Sequence, residues 1–510
     1  MSSSSSSSSR DINSSVTVVG TSSVGRSVSW FFRLYDDLLS EILTEWLGLD
    51  DVVILDTAIC SKLLRPQLLA LLARGIVFRN ESPVAVKGNF YPRWANVPAV
   101  IEWAAKRGII FENYFNHEWH CQDDFPAMSE AVSTVFSKLV TLKCLSNCHK
   151  DAYEPFISGV LSQCFQSVRE VNIFGSPRLM DKIGMCRELE KLSIGASNDI
   201  TDISFMKIAN LVKLKYLYIS NSSKITDDAT FKAIAERCVK LEELKFFRFR
   251  NNCIAPGIVH LCKTSSLRKL VLGGDMRQIT DEDMDKIFRA CALLSSIGLL
   301  LLNQLTDASI ISMATNCRLI SSINLQGLNQ LTDASIISLA TTCRLIEDVS
   351  FLTMPLITNA AIESLAFNCP LKAVNLDEVG VDDGGIKEVV KSCSRLERLH
   401  LPCTRISEET ILLAALSLPN LKTINIRVDI SSTFFPKNSN DITVASSPTL
   451  FQSLNTLFFH CKQMMHARIN IISSNPFRRP VFSYNLHKER LKGLEKAFPQ
   501  ISIDFRFWEF

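Results

Sequence analysis

A 26-residue period dominates the middle of this sequence of 510 residues. Residues 302–320 read LNQLTDASIISMATNCRLI, and residues 328–346 repeat them with two changes, Met313 to Leu339 and Asn316 to Thr342. A period of about 20 to 50 residues indicates a stacked array, in which each unit buries its apolar face only against its neighbours. Such arrays usually present a long surface to another macromolecule. The sequence therefore favours a binding protein over a catalyst.

Charge and cysteine content limit the partners and the compartment. The 55 Lys and Arg residues nearly balance the 52 Asp and Glu residues, leaving a net charge of +3. Because no basic cluster is present, we expect neither nucleic acid nor a membrane as partner. No apolar run approaches the roughly 18 to 20 residues that span a bilayer. The 16 cysteines are spread at repeat intervals, which favours reduced, buried thiols. We expect a soluble protein of the cytoplasm or nucleus.

Each repeat predicts one strand followed by one helix. The strand comes from apolar residues in the spacing L-x-x-L-x-L, whose final alternation is typical of a strand with one buried face. The frame recurs at Leu189/Leu192/Ile194, Leu214/Leu217/Ile219, Leu241/Leu244/Phe246, Leu267/Leu270/Leu272, Leu294/Ile297/Leu299, Ile320/Ile323/Leu325, Ile346/Val349/Phe351, Leu371/Val374/Leu376, Leu396/Leu399/Leu401 and Leu421/Ile424/Ile426.

The helix begins at a Thr-Asp pair and ends at a cysteine. The Thr hydroxyl or the Asp carboxylate can accept from free N–H groups at a helix start. Ile310, Ala314 and Cys317 then fall at i, i+4 and i+7, on one helix face. Equivalent cysteines of successive repeats would form a line and not converge on one point, so we interpret them as packing residues. They are Cys238, Cys262, Cys291, Cys317, Cys343, Cys369 and Cys393.

This pattern resembles the cysteine-containing leucine-rich repeats of the F-box/leucine-rich repeat family over residues 135–427. The resemblance implies an α/β solenoid, a leucine-rich repeat horseshoe with one strand and one helix per 24–29 residues. The family usually has Cys or Asn three residues after the last strand leucine. Here the position holds Ser197, Ser222, Leu302, Leu328, Met354 and Thr404, which predicts a different packing of that turn.

The ends of the array are less regular. Leu139/Leu142/Cys144 and Val168/Val171/Ile173 form weaker early units, and residues 81–134 read as a connecting segment with a helix near 100–105 and a strand near 109–111. Residues 428–450 are polar and predict a loop. In residues 451–510 the frame recovers at Leu454/Leu457/Phe459, and a strictly alternating last strand is expected at 501–507. This segment reads as degenerate repeats that cap the array.

The amino-terminal 80 residues predict a tail and a small all-α module. Residues 1–29 are Ser-rich and favour a disordered tail, although their Ser and Arg content is also typical of a transit peptide. Residues 30–80 predict three short helices that resemble an F-box, the module that docks on the Skp-type adaptor of a cullin ubiquitin ligase. The resemblance implies an adaptor contact near Leu38, Leu39, Ile42 and Leu43. The Leu-Pro pair that usually opens an F-box is absent, so a plain helical cap stays open.

A candidate binding surface lies between the strand leucines. Side chains alternate along a strand, so the residues between the leucines point to the concave face. Aromatic side chains beside lysines are typical of a protein-binding hot spot; alternatively, a loop of this chain covers them. The candidate residues are Lys191, Tyr216, Tyr218, Lys245, Phe247, Phe249 and Lys269.

Signals for metals and catalysis are weak. His117, His120 and Cys121 with Cys144, Cys148 and His149 are zinc-ligand types, but their spacing lacks the tight pairs of a zinc site. The Asp382-Asp383-Gly384-Gly385 run occupies a Thr-Asp position and favours a helix cap over a calcium site. No phosphate-binding loop, nucleophile elbow or metalloprotease motif occurs. We expect no enzymatic activity, metal or cofactor.

The sequence supports a functional hypothesis with one main alternative. By resemblance, the chain is a protein-recognition scaffold that acts as substrate receptor of a cullin-type ubiquitin ligase. It would hold the adaptor through the 30–80 module and a protein client on the concave face, and be a monomer outside that complex. The alternative is a repeat scaffold in signalling or cell-division control with no role in ubiquitination. An enzyme hidden within residues 428–510 is disfavoured.

Overall fold

A computed structural model of the chain describes most of the repeat region. The described residues are 77–78, 101–102, 104–107, 110–111, 113–116, 129–144, 150–195, 198–248, 254–264, 266–274, 276–429, single residues between 455 and 464, 466–473, 497–498 and 502–509. Leu38, Leu39, Ile42 and Leu43 lie outside them, as do the Ser-rich tail, the 430–450 segment, Phe249 and the zinc-type residues His117, His120, Cys121, Cys148 and His149.

The chain divides into two compact units, and the first contains residues 1–141 and 148–164. Its helical residues 101–102 and 104–105 precede a short strand at Ile110–Phe111, as the sequence predicts. Phe136 is fully buried, and its ring lies 5.7 Å from that of Phe111 and 6.1 Å from that of Phe156. The elements are β1 Val77–Phe78, which pairs in parallel with β2 Ile110–Phe111, β3 Asn113–Asn116, α1 Ser129–Val135 and α2 Lys150–Cys164.

β1 lies inside the 30–80 segment, for which the sequence predicted helices alone. Val77 and Phe78 pair with Ile110 and Phe111. Apolar and β-branched residues of this kind fit a pleated pair better than a helix. The three helices predicted in this segment lie outside the described residues.

The second unit, residues 142–147 and 165–510, is a leucine-rich repeat solenoid. Its strands follow one another in chain order in a single sheet, and the pairs whose register is known from β5 onward are parallel. The strands are β4 Thr141–Cys144, β5 Glu170–Phe174, β6 Lys191–Gly195, β7 Tyr216–Ser220, β8 Glu243–Phe247, β9 Lys269–Gly273, β10 Ser296–Leu300, β11 Ser322–Gln326, β12 Asp348–Thr358, β13 Ala373–Gly380, β14 Arg398–Arg405, β15 Thr423–Asp429, β16 His466–Ser473 and β17 Ser502–Glu509.

The register confirms the predicted frame. Leu192 pairs with Leu217, Leu217 with Leu244, and the same frame position continues strand by strand to Ile424. The frame leucines of β6 to β13 are almost completely buried. The core of this unit therefore lies between one face of the sheet and the helices that alternate with its strands.

The helices begin at caps that the sequence predicted. Thr280, Thr306 and Thr332 each accept a backbone N–H through their hydroxyls, and Asp227 and Asp382 do so through their carboxylates. The helices are α3 Pro177–Ile183, α4 Asp202–Phe205, α5 Asp228–Arg237, α6 Ile254–Thr264, α7 Asp281–Ala290, α8 Asp307–Asn316, α9 Asp333–Thr342, α10 Asn359–Asn368, α11 Asp383–Ser392 and α12 Glu408–Ser417. A 3₁₀ turn, Met206–Asn210, follows α4.

The aspartate after each threonine has a second role that the sequence did not reveal. Thr306 donates its backbone N–H (3.0 Å) and its hydroxyl (2.7 Å) to the carboxylate of Asp281, one repeat earlier. Asp307 accepts the same pair of bonds from Thr332 at 2.8 and 2.6 Å. We call this series the Asp–Thr ladder; it includes Asp202 with Thr226, Asp333 with Thr358 and Asp383 with Ser407. It joins the start of one helix to the start of the next.

The helix-end cysteines form the predicted line. The Cys317 thiol donates to the carbonyl oxygens of Phe288 (3.6 Å) and Cys291 (3.5 Å), at the end of the preceding helix. Cys343 and Cys369 repeat this arrangement. Each thiol therefore satisfies carbonyl groups that a helix end leaves without an intrahelical donor.

The prediction that all the helix-end cysteines are reduced is wrong for one pair. Cys262 and Cys291 form a disulfide. Cys262 lies in the last turn of α6 and Cys291 directly follows α7, in adjacent repeats. Their Cα atoms are 5.2 Å apart, within the span that a disulfide requires. The stacking of these two helix ends thus brings the two sulfur atoms within bonding reach, which the sequence spacing alone does not reveal.

The turn after each strand contains the position at which the repeats that this chain resembles usually have Cys or Asn. The second residue after the last frame residue has a positive φ, as at Asn221 (57°), Leu301 (62°) and Thr353 (56°). The residue after it then turns inward, and Leu302, Leu328 and Met354 are completely buried there. Apolar side chains of the turn therefore extend the core.

The carboxyl-terminal unit differs partly from expectation. Asn455 and residues 457–459 are helical, so the predicted strand frame at Leu454/Leu457/Phe459 is wrong. An L-x-x-L spacing also fits i and i+3 of a helix, and Leu457 and Cys461, at i and i+4, are both buried. The following strand is β16, and the predicted last strand is present as β17, paired with it in parallel.

Candidate partner-binding surface

The side chains between the frame residues of β4 to β9 form a surface of lysines, glutamates and aromatic rings. The parallel register places residues of equal frame position beside one another. We call this surface the basic-aromatic face, and define it by Lys143, Glu170, Phe174, Lys191, Tyr216, Tyr218, Glu243, Lys245, Phe247 and Lys269.

Six of the seven candidate residues lie on this face, and Phe249 lies outside the described residues. Lys191, Tyr216, Lys245 and Lys269 line one recess of about 620 Å³. Tyr218 and Phe247 line an adjoining groove of about 900 Å³, which Tyr216, Lys245 and Lys269 share. The sheet therefore brings together residues that are 24 to 29 positions apart in sequence.

Glu170 and Glu243 belong to the face, although sequence reasoning passed over them. Glu170 Oε1 lies 2.7 Å from Lys143 Nζ, and its Oε2 lies 3.7 Å from Lys191 Nζ. Glu243 Oε1 lies 2.8 Å from Lys245 Nζ and 3.1 Å from Lys269 Nζ. Each glutamate thus sits between two lysines. The signal was available, because Glu170 and Glu243 occupy the same frame position as Lys191 and Lys269.

Lys245 and Glu243 both remain charged in this arrangement. Burial by itself would raise the pKa of Glu243, but hydrogen bonds from Lys245 and Lys269 outweigh burial and hold that pKa below its ordinary value. Burial would lower the pKa of Lys245, yet the bond to Glu243 and the proximity of Tyr216 raise it instead. Lys245 Nζ also lies 5.0 Å from the centre of the Tyr216 ring, a cation–π geometry.

Aromatic rings and small residues alternate across the groove. The rings of Tyr218 and Phe247 lie 5.8 Å apart and are tilted by 49°. Gly273 leaves the space that Phe247 occupies, since a Cβ there would stand 2.6 Å from its ring. Ser193 and Gly195 border the groove before this pair, and Gly298 borders it after. The rings therefore stand above their neighbours and leave recesses on both sides.

The rest of the strand face is mainly neutral or internally paired. Ser296, Gly298, Ser322 and Asn324 follow in β10 and β11. Farther on, Arg398 forms an ion pair with Asp348 at 3.1 Å. His400 lies 3.1 Å from the amide nitrogen of Asn425, and Asn375 donates to Ser350 at 3.1 Å. These polar groups bond to one another, as in an ordinary solvated face.

A row of alternating charges lies just before the strands. Glu190 accepts from Lys215 at 2.7 Å and lies 3.9 Å from Arg169. Glu347 pairs with Lys372 at 2.8 Å and Glu397 with Lys422 at 2.7 Å. The hydrogen bond from Lys215 lowers the pKa of Glu190, and the same bond raises the pKa of Lys215. Opposite charges on adjacent strands favour this register over a shifted one.

The described residues indicate neither a metal centre nor a membrane span. No group of three or more His, Cys, Asp or Glu side chains in that part of the chain could hold a metal ion. Asp382 caps α11 by accepting from the N–H groups of Gly384 (2.8 Å) and Gly385 (3.4 Å). No helix among the residues described is long and apolar enough to cross a bilayer.

Comparisons with known proteins give structural likenesses only. No protein-family model and no curated protein sequence matches the chain. A chain of the Rad7 and Elc1 complex of yeast aligns with a TM-score of 0.46 and 16% identity, covering 62% of this chain and 82% of that one. An internalin of Listeria monocytogenes aligns with a TM-score of 0.38 and 16% identity, covering 72% and 88% respectively. Both scores are below 0.5, so the fold assignment depends on the sheet register and the repeated frame.

Proposed function

We propose that this chain is a protein-recognition scaffold that binds a protein partner on its basic-aromatic face. The observation that carries the proposal is the grouping of Tyr216, Tyr218 and Phe247 with five lysines in adjoining recesses of one sheet face. Aromatic residues dominate the binding energy of protein interfaces. The neighbouring strands β10 and β11 present mainly serine, asparagine and glycine, so the position of the aromatic residues favours contact with a partner.

The finer proposal is that the partner is a client for ubiquitination. The 30–80 segment resembles an F-box, and a repeat array directly after it has the order of a substrate receptor. In this proposal, Leu38, Leu39, Ile42 and Leu43 contact a Skp-type adaptor of a cullin ligase. The scaffold acts in the cytoplasm or nucleus through geometry, holds a client lysine near a recruited conjugating enzyme, and supplies no catalytic side chain.

Adaptor binding is tested by pull-down with purified Skp-type adaptor. The full chain should retain the adaptor, and a Leu38→Asp/Ile42→Asp variant should lose it, because two charges cannot be buried in an apolar contact. A Tyr218→Ala/Phe247→Ala variant is the matched control and should bind the adaptor as the wild type does. Circular dichroism establishes that all three chains are folded.

Failure of the folded wild type to bind the adaptor would contradict the ubiquitin role. A second candidate function is supported by the absence of the Leu-Pro pair that usually opens an F-box, since Tyr35-Asp36 stands in its place. The chain would then be a repeat scaffold with a function outside ubiquitination, and the 30–80 segment a cap of the array.

A further inference from the structure

The charge on the basic-aromatic face is distributed in two triads. Lys143, Glu170 and Lys191 form one, and Lys245, Glu243 and Lys269 form the other. Four lysines against two glutamates give these six side chains a formal charge of +2. The chain as a whole carries +3. A substantial share of the net charge thus lies on one surface.

The more exposed lysine is Lys191 in the first triad and Lys269 in the second. The side chains of Lys191 and Lys269 are 59% and 41% exposed, whereas that of Lys245 is 25% exposed. They lie on β6 and β9, three strand spacings or about 14 Å apart. A lysine ammonium group has three donors, and one ion pair to the resident glutamate leaves donors for a second carboxylate.

The groove beside these lysines suits a large apolar side chain. The tilted rings of Tyr218 and Phe247 form a raised apolar surface, and Ser193, Gly195 and Gly298 leave space beside it. An aromatic side chain inserted there would stack against a ring without displacing a frame residue. The face therefore combines two cationic positions with an apolar groove that lies beside them, toward the carboxyl ends of the strands.

We propose that the basic-aromatic face binds an extended acidic segment of a protein partner. Asp or Glu side chains of that segment pair with Lys191 and Lys269, and an aromatic or large aliphatic side chain packs against Tyr218 and Phe247. This inference rests on the proposed function, because it specifies the chemistry of the partner at the same surface.

Carboxylates fit this face better than phosphates do. A nucleic-acid backbone would bring phosphates past Glu170 and Glu243, which lie among the lysines and would repel them. Arg268 is the one arginine among the residues that line the recess, and the other cations there are lysines, which lack the fork geometry that favours phosphate groups. Single negative charges also match a surface whose lysines already share carboxylates one by one.

Peptide selection on the full chain tests this inference. A phage library of random dodecapeptides is enriched on the immobilised protein, and the selected peptides are sequenced. We expect peptides that combine Asp or Glu residues with an aromatic or large aliphatic residue. A selected peptide is then labelled with fluorescein, and its Kd is measured by polarisation together with versions carrying Asn and Gln, or phosphoserine, in place of the acids.

Three variants locate the binding. Lys191→Ala/Lys269→Ala should weaken the acidic peptide about tenfold at low salt and remove most of its salt dependence. Glu170 and Glu243 keep Lys143 and Lys245 as partners in this variant. Tyr218→Ala/Phe247→Ala should weaken it about thirtyfold. Lys286→Ala/Lys391→Ala removes two ion-paired lysines from α7 and α11 and should leave the Kd unchanged.

Each result that would contradict the inference has its own consequence. Selected peptides without acidic residues that still depend on Tyr218 and Phe247 would overturn the inference and leave the proposed function standing. Tighter binding of the phosphoserine version, or displacement of the peptide by an oligouridylate, would overturn the choice of carboxylate. Failure to enrich any peptide that depends on this face would overturn both proposals. Sedimentation as a dimer that Tyr218→Ala/Phe247→Ala dissociates would mean that a second copy occupies the face.

Discussion

Two regions of the solenoid, the nearly identical repeats around β10 and β11 and the repeats of β7 to β9, have the same apolar frame. The residues between the frame positions differ almost completely between these two regions. Leu299 and Leu325 are as completely buried as Phe246 and Leu272. Between them, the copied repeats present Ser, Gly and Asn, whereas β7 to β9 present Tyr216, Tyr218, Lys245 and Phe247. The residues that build the solenoid and the residues that form its surface therefore vary independently.

The same two regions differ in how adjacent repeats are joined. The copied repeats use the Asp–Thr ladder, in which Asp307 accepts from Thr332, and thiols that donate to carbonyl groups. Helix α6 begins at Ile254 without a Thr-Asp pair in its sequence, and its end is joined to the end of α7 by the Cys262–Cys291 disulfide. A covalent connection thus occurs beside the repeat that lacks the ladder residues.

The free thiols of the copied repeats should be chemically inert, the largest effect we expect. Burial raises the pKa of Cys317 from 9.0 to about 12. Since the thiolate is the reactive form, its native alkylation at pH 8 should be about a thousandfold slower than in the unfolded chain. Iodoacetamide labelling followed by mass spectrometry measures both rates, with a urea-unfolded sample as control. Equal rates in native and unfolded protein would refute the packing role.

Adjacent phenylalanines of β8 separate the frame from the surface. Phe246 is completely buried, so Phe246→Ala should lower the free energy of unfolding by about 3–5 kcal/mol. Phe247 lies on the basic-aromatic face, and Phe247→Ala should cost about 1 kcal/mol or less. Urea unfolding followed by circular dichroism measures both. Similar losses from the two substitutions would contradict the alternation of the strand.

Removing one rung of the Asp–Thr ladder should have an intermediate effect. Asp307→Asn weakens two hydrogen bonds from Thr332 to a charged acceptor, and we expect a loss of about 1.5–3 kcal/mol. Glu282→Gln, at an exposed position of α7, is the control and should change the free energy of unfolding by about 0.5 kcal/mol or less. A loss no larger than that of the control would mean that the ladder contributes little to stability.

The ladder should also make stability depend on acid pH. Burial by itself would raise the pKa of Asp281, but hydrogen bonds from Ser309 and Thr306 outweigh it and lower that pKa. A depressed carboxyl pKa stabilises the fold above the unfolded pKa near 4, and this stabilisation is lost as the pH falls through the folded value. Urea titrations between about pH 5 and pH 2 should therefore show a flatter profile for Asp281→Asn than for the wild type. Parallel profiles would exclude the carboxylate as the cause.

The charge row before the strands should have the smallest effect. Lys215 and Glu190 form an ion pair at the surface, so Lys215→Ala should lower the free energy of unfolding only slightly. The loss should shrink in high salt, because screening weakens exposed ion pairs. Thermal melts in low and high salt measure both quantities. A loss that does not change with salt would indicate packing of the lysine stem instead.

Much of the fold was predictable, because the same periodicity recurs in many successive repeats. The strand frame, the helix caps and the line of cysteines could all be predicted from the sequence. The frame at Leu454/Leu457/Phe459 was misread, since one L-x-x-L spacing without neighbouring copies fits a helix equally well. The disulfide was missed because spacing along the chain does not reveal the distance between two sulfur atoms.

The candidate site was predictable only in its residue types. Lys191, Tyr216, Tyr218, Lys245, Phe247 and Lys269 follow from the alternation of each strand, but the glutamates between the lysines do not stand out in a list of unusual residues. They become part of the site once the register places Glu170 beside Lys191 and Glu243 beside Lys269.

The sequence by itself determined the repeated unit, because apolar periodicity and helix caps act within a single strand and helix. Only the tertiary structure decided which units' side chains meet: the ladder from Asp281 to Thr306, the triads around Glu170 and Glu243, and the Cys262–Cys291 bond. Apart from the Glu243–Lys245 pair, each of these contacts joins residues more than 20 positions apart in sequence. Their distances depend on how consecutive repeats stack, since neighbouring strands bring such residues to about 5 Å from one another.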